Sequence, residues 1–345
     1  MKTLVTDGQG NLAIKELPIP IYTPHQALVR MISGGICNGT DTKLIAGHFK
    51  NYDTYPAVLG HEGYAEVVAV GERVQSLRVG DRVLLPFLEE VPPPYASAWG
   101  AFSEYAVVGD AQAYQADGLP FSEGYLAQTV VPETPGLDDT TAPMIVTFRE
   151  VLAAIRRFDL RPDHQIIIYG MGPVGLSFVR MAKLLGVRTV IAVDVTKEKL
   201  DLARRMEADV TLNSTTDSVP EAVRALVPGG LDRAIDAVGI NDLINQAMGL
   251  ICDHGHICCY GISAHLGMPL DWAAAPYNWS LDFVQWPSKK EEGEAHAQVM
   301  RWIAEGQLLP QDFVSHVFPF DKILDAFALA LSRGNADVRK IIVTF

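Results

Sequence analysis

Up to residue 145 the apolar positions fall in short runs interleaved with polar residues. The segments ALVRMISGGI, EGYAEVVAVG, DRVLL and FSEYAVV are bounded by Gly, Pro or Asp. That pattern predicts strands, and no helical period stands out before residue 144. This part of the chain therefore reads as a barrel-like or sandwich-like all-β unit. Residues 89–100, EEVPPPYASAWG, are predicted as a loop, because consecutive prolines cannot donate within a central strand. The period then changes. MIVTFREVLAAIRRFDLRP predicts a helix that stops before Pro162. QIIIYG, TVIAVDV, DVTLN and DRAIDAVG follow as strands alternating with helical stretches, and HGHICCYG adds another strand. Continuous apolar runs such as IIIY and VIAV suit a parallel sheet covered on both faces. Farther on, a helix is expected near 291–305, a strand at FVSHVFPF and a helix near 323–333. The last strand, VRKIIVTF, is expected to return to the first domain.

Length and charge narrow the field. A chain of 345 residues is long for one core, so two domains are expected. The net charge is −13 and the basic residues form no cluster, which gives nucleic acid little to bind. The four cysteines, Cys37, Cys252, Cys258 and Cys259, form no CxxC pair, and a disulfide scaffold is not expected at this size. The start lacks an apolar signal core, and no run of about 18 apolar residues occurs. No membrane partner is expected, and the location is expected to be cytoplasmic.

The sharpest motif is Gly170-x-Gly172-x-x-Gly175, which follows an apolar strand and opens a helix. A second strand ends at Asp194, near the expected distance for a ribose-binding acid. Gly170 permits the tight turn, Gly172 lets backbone amides approach a pyrophosphate, and Gly175 lets the helix sit close to the sheet. The phosphates would meet the positive end of that helix. Pro173, Val174 and Lys199 complete the expected cofactor contacts. Asp194 favours NAD over NADP, because its charge repels an added ribose phosphate and no arginine follows it directly. The plain alternative is a glycine-rich turn in a nucleotide-free α/β domain.

Cys37, His61 and Glu62 are candidate zinc ligands, since zinc accepts thiolate, imidazole and carboxylate. Each also has a plain reading: a small core residue, a turn histidine and a solvated carboxylate. Taken with their surroundings, these residues resemble the medium-chain dehydrogenase/reductase superfamily, especially its zinc-type alcohol and polyol dehydrogenases. The resemblance runs through GGICNGTDTKLIAGHF, YPAVLGHEGYAEVVAVG, GDRV, GAFSEYAVV, GMGPVG and DRAIDAVG, over nearly the whole length. It implies an α/β chain with a GroES-like β-rich catalytic domain over residues 1–145. A Rossmann domain, a doubly wound parallel sheet that binds NAD, is implied over residues 146–280. Residues 281–345 are implied to return to the catalytic domain. The resemblance further implies catalytic zinc on Cys37 and His61, with Glu62 as a nearby or alternating ligand. Thr40 resembles the hydroxyl end of the family's proton relay, and His48 could pass the proton outward. Thr40, His48, His61 and Glu62 are thus the implied catalytic set.

Two departures stand out. The family spacing is Cys-x-x-Asp, whereas Cys37-Asn38-Gly39-Thr40-Asp41 is one residue longer. The usual further ligand falls on Ala142 or Val146, neither of which binds zinc, and Glu150 lies a turn beyond. The structural zinc lobe is also absent, because residues 86–110 contain no cysteine. The resemblance implies hydride transfer between NAD(H) and a secondary alcohol, sugar or cyclic polyol and its ketone. The alternatives are a zinc-independent NAD(P)H reductase of the same superfamily and a non-catalytic nucleotide-binding protein. Trp99, Trp272, Trp279 and Trp286 could line a substrate pocket or simply pack, and Asn278 and Asp282 could bind hydroxyls. The family prior for assembly is a homodimer or homotetramer.

Overall fold

The first strands are β1 (Lys2–Thr6), β2 (Leu12–Glu16), β3 (Gln26–Ile36), β4 (Ala57–Val58), β5 (Glu62–Val70), β6 (Arg82–Leu84), β7 (Ala96–Ser97) and β8 (Tyr105–Gly109). Residues 89–100 are therefore not all loop: β7 forms within them by pairing with β4, a contact between distant segments that two residues give no period to announce. The computed structural model describes residues 1–332 and 337–345. Two short helices interrupt this β-rich stretch, α1 (Asp41–Ile45) and α2 (Ala111–Ala116). They correct the expectation of no helix before residue 144. A five-residue helix shows no period, but α2 carried a readable start signal. The Asp110 side chain accepts from the backbone N–H groups of Gln112 and Ala113, a standard N-cap.

The chain leaves this unit through α3 (Met144–Arg157). It then alternates β9 (Gln165–Tyr169), α4 (Pro173–Leu184), β10 (Thr189–Asp194), α5 (Lys197–Arg205), β11 (Val210–Asn213), α6 (Val219–Leu226), β12 (Leu231–Asp236), α7 (Asn241–Met248), β13 (Ile251–Cys259) and β14 (Trp279–Phe283). The strands pair in the order β11-β10-β9-β12-β13-β14, and every pairing is parallel. Renumbered from β9, this is the 3-2-1-4-5-6 order of the doubly wound dinucleotide fold. Ile166, Ile167 and Ile168 in the middle of β9 are fully buried, as a strand covered on both faces requires.

After α8 (Lys289–Ala304) the chain adds β15 (Val314–Pro319), α9 (Ile323–Leu331) and β16 (Lys340–Thr344) to the first unit. The expected helix near 323–333 ends at Leu331, and Arg333 lies outside the described residues. The first unit has one sheet ordered β2-β1-β4-β7 and another ordered β15-β16-β3-β5-β6, with β8 also on β3. As expected, the last strand returns: β16 runs antiparallel to β3, with Ile341 opposite Ile36 and Ile342 opposite Gly35. Ile36, Leu44, Phe102, Phe327 and Ile341 join one core there.

The compact units are Met1–Arg149 with Ser288–Phe345, and Glu150–Pro287. The divisions therefore shift from 145/146 and 280/281 to 149/150 and 287/288. At the first, Phe148 packs edge-on against Phe313 at 4.9 Å and Arg149 faces Glu292, so the start of α3 stays with the first unit. At the second, β14 extends the parallel sheet by pairing with β13.

Around Arg149 a buried polar chain ties α3 and α8 to the strand-linking segment 127–130. Arg149 donates to the Thr129 hydroxyl and the Ala127 carbonyl. His296 Nε2 lies 3.2 Å from the Val130 carbonyl and Nδ1 3.3 Å from Thr129 Oγ1. A carbonyl only accepts, so Nε2 carries the proton and Nδ1 accepts from the hydroxyl. Burial, and then the Arg149 charge, lower the His296 pKa to about 4. The unfolded chain therefore binds more protons than the fold between about pH 6.5 and pH 4. Stability should fall across that window by up to roughly 3 kcal/mol as pH drops. Urea unfolding at pH 7 and pH 4.5 checks this, and H296Q should flatten the slope.

Candidate metal and nucleotide sites

The first site grows from the junctions of β3 and β5. Cys37 directly follows β3, and its backbone N–H donates to Asp41 Oδ2 at 2.9 Å. Asp41 returns a backbone bond to the Cys37 carbonyl at 2.9 Å. The extra residue between them is absorbed in this closed turn, before Thr40 caps α1. His61 and Glu62 sit at the start of β5, almost fully buried. One ligand atom from each of Cys37, His61 and Glu62 lies within 4.8 Å of the others.

Asp41 stands behind His61, with Oδ1 3.4 Å from Nδ1. A carboxylate behind a ligating imidazole fixes the ring's orientation and raises its basicity. Burial opposes a charge on His61, but the adjacent Asp41 carboxylate and Cys37 sulfur outweigh it. The His61 pKa therefore stands well above the ordinary histidine value. The pocket favours positive charge at this spot, whether proton or metal. Trp99 flanks it, its ring 5.4 Å from that of His61, and adopts a φ of 69°, uncommon for a bulky side chain. Thiolate, imidazole and carboxylate converging in a largely buried setting suit zinc, so the residues present fit a metal.

The sequence did not reveal what holds Glu62. Lys340, at the start of β16, donates to both Glu62 oxygens at 2.7 and 2.6 Å. The Thr147 hydroxyl of α3 adds a bond at 3.3 Å. The sheet order explains the reach. β3 lies between β5 and β16, and Glu62 extends over Gly35 to Lys340. A Cβ on Gly35 would sit 2.3 Å from Glu62 Oε2. The glycine doublet before Cys37 was therefore the available signal for a side chain crossing the strand. Ala142 and Val146 are fully buried, as expected of residues that offer no ligand.

Thr40 is buried beside the cluster's turn, while His48 is exposed beyond α1. Other candidates fall in the nucleotide unit. Asn278 bonds Asp253, and Asp282 meets His256 at 3.2 Å, so both serve neighbouring chain segments. Trp272 is exposed, and Trp279 packs against the core of that unit.

The second site is the turn between β9 and α4. Gly170 takes a φ of 90°. A Cβ on Gly175 would lie 1.7 Å from the Gly170 carbonyl oxygen, so helix and turn touch there. At Gly172 nothing lies within 4 Å of such a Cβ. Gly172 caps α4 without a side-chain hydrogen bond, and Pro173 occupies its first turn. An unblocked helix N-terminus of this kind suits a phosphate. Val174 lies in the same first turn, and Lys199 is half-buried on α5. Asp194 ends β10 and accepts from the backbone N–H of Met171 at 2.7 Å and of Thr196 at 2.9 Å. A carboxylate offers about four acceptor positions, so capacity remains.

A donor cluster on a β-rich unit and a phosphate-ready turn on a doubly wound unit define a class, the two-domain oxidoreductases. The comparisons sharpen it. The alcohol dehydrogenase GroES-like domain matches residues 23–118, and the zinc-binding dehydrogenase domain matches residues 173–279. L-galactonate-5-dehydrogenase of Escherichia coli strain K12 is 28% identical over 351 residues, covering 100% of this chain and 99% of the relative. The alcohol dehydrogenase TADH from Thermus sp. ATN1 is 24% identical, with a TM-score of 0.80, covering 100% of this chain and 99% of that one. A short chain alcohol dehydrogenase from Escherichia coli CFT073, complexed with NADH, is 25% identical with a TM-score of 0.78 and the same coverage. The chain belongs to the medium-chain dehydrogenase/reductase superfamily, in its zinc-type alcohol and polyol dehydrogenase-like group.

Proposed function

We propose that the protein transfers hydride reversibly between NAD(H) and a secondary alcohol, sugar or polyol, with a zinc ion at the Cys37 cluster. The observation that carries this reading is the convergence of Cys37, His61 and Glu62 within 4.8 Å in a chain that also holds the glycine turn and Asp194. Bound zinc would act as a Lewis acid and stabilise alkoxide character on the substrate oxygen. His61 would hold its ligating orientation through Asp41. Thr40 would relay the hydroxyl proton, giving its own proton outward toward water as it accepts the substrate's, and bound NAD would supply the hydride acceptor. The relative named for L-galactonate supports a polyhydroxylated substrate. The family resemblance extends the proposal to a homodimer or homotetramer, and a cytoplasmic location is proposed as the default.

Metal analysis together with a screen of polyols, sugars and secondary alcohols tests the reading. NADH formation that depends on bound zinc supports it. Full activity in metal-free protein favours the zinc-independent reductase, a reading motivated by the ligand-free positions at Ala142 and Val146. Bound metal and cofactor without turnover would point to a non-catalytic role.

Asp194 sets the expected nucleotide choice. Met171 and Thr196 donate to different oxygens of Asp194, so Asp194→Asn keeps an acceptor for only one of them while removing the charge that repels a ribose phosphate. The preference for NADH over NADPH should shrink by roughly tenfold or more, equivalent to about 1.4 kcal/mol. Fluorescence titration with both cofactors measures the ratio. An unchanged ratio would remove Asp194 from the argument.

A further inference from the structure

Among the described residues Cys37, His61 and Glu62 form the clustered donor set, and Ala142 and Val146 add no ligand, so zinc bound there would draw on Glu62 as its third protein ligand. Yet Glu62 is already bound. Lys340 grips both of its oxygens from across β3, and Thr147 donates to one of them. Lys340 and Glu62 are almost fully buried, so solvent does not weaken their pairing. One carboxylate thus faces two cationic claimants.

We propose that Lys340 is an internal competitor of the metal for Glu62. In the metal-free chain it holds Glu62 as a counter-ion. The metal gains its third protein ligand only by drawing Glu62 away from Lys340, wholly or through one oxygen. The affinity of the site is therefore set by this exchange as well as by Cys37 and His61. Lys340 acts through Glu62 and is a positioning residue. Gly35 is part of the same device, since a side chain there would occupy the path of the carboxylate.

This inference rests on the zinc reading of the Cys37 cluster, and its test separates the two. Zinc affinity is measured by competition with a chromophoric chelator for the wild type, Lys340→Met, Glu62→Gln and the double variant. Lys340→Met should bind zinc more tightly by roughly 10–100-fold, the usual scale for a group one shell from a metal. Glu62→Gln should bind more weakly than the wild type. The gain from Lys340→Met should vanish in the Glu62→Gln background, because no carboxylate is left to release. Lys340→Gln, which keeps a hydrogen-bond donor toward Glu62, should lie between wild type and Lys340→Met and covers the case in which methionine prevents folding. Circular dichroism verifies the fold of each variant. Wild-type zinc binding with no gain in either Lys340 variant would overturn the competition alone. A gain that persists without Glu62 would also overturn it, reducing Lys340 to a general repulsive charge. Failure of every folded variant to bind zinc would overturn the zinc reading and the competition with it.

Discussion

His61→Ala should abolish tight zinc binding and lower turnover by roughly three orders of magnitude, about 4 kcal/mol of transition-state stabilisation. The substitution removes the imidazole that stands between Asp41 and the cluster. Cys37 and Glu62 remain, but one of these already answers to Lys340. Two donors hold zinc poorly where structural chemistry asks for three plus an open position. NADH binding should survive, because the glycine turn belongs to the other compact unit. Metal content, NADH affinity and turnover on one preparation check all three statements. Retained activity at zero metal would end the zinc mechanism.

Gly175→Val should be the most damaging single change in the nucleotide unit. Its Cβ would fall 1.7 Å from the Gly170 carbonyl oxygen, far inside contact distance. The opposing atom is backbone, so no rotamer change relieves the clash. Either α4 tilts away from β9 or the turn at Gly170 opens, and each spoils the phosphate seat. A loss of roughly 3 kcal/mol or more is expected for the unit, together with loss of NADH binding. Gly172→Ala is the contrasting control. It has an ordinary φ of −73° and open space around the new Cβ, so stability should hold. NADH affinity should still drop, because the methyl enters the space offered to the pyrophosphate. Urea unfolding and NADH fluorescence separate the two variants. Intact NADH binding in Gly175→Val would mean that the turn does not seat the cofactor.

The nucleotide turn was legible because its parts are close together in the chain. Strand, three glycines, helix and acid lie between Gln165 and Asp194, and local chemistry orders them. The metal cluster was legible through its neighbours, since Cys37 and the His61-Glu62 pair sit in motifs that resemble a known family. The added residue before Asp41 raised doubt that only the backbone bonds of the turn resolve. Lys340 left no local trace. Its role depends on which strand lies beside β3, and pairing between distant strands is not written in periodicity. Thr147 was hidden next to Val146, the position that family spacing pointed to. The division inside α3 was hidden too, because an amphipathic helix gives no sign of which unit each of its turns serves.

The Glu62–Lys340 pair also imposes a schedule on synthesis. Its partners are 278 residues apart, and the whole doubly wound unit is made between them. At a translation rate of about 5–20 residues per second, Glu62 waits on the order of tens of seconds for its counter-ion. During that interval the Ser33–Ile36 end of β3 lacks its β16 neighbour, although β8 already pairs with Gln26–Arg30, so a short open edge lies beside an unpaired acid. The inserted unit is continuous in sequence and can close first. The unit that carries Cys37, His61 and Glu62 is begun first and completed later, so residues 1–149 must wait for the C-terminal segment before their sheet is whole.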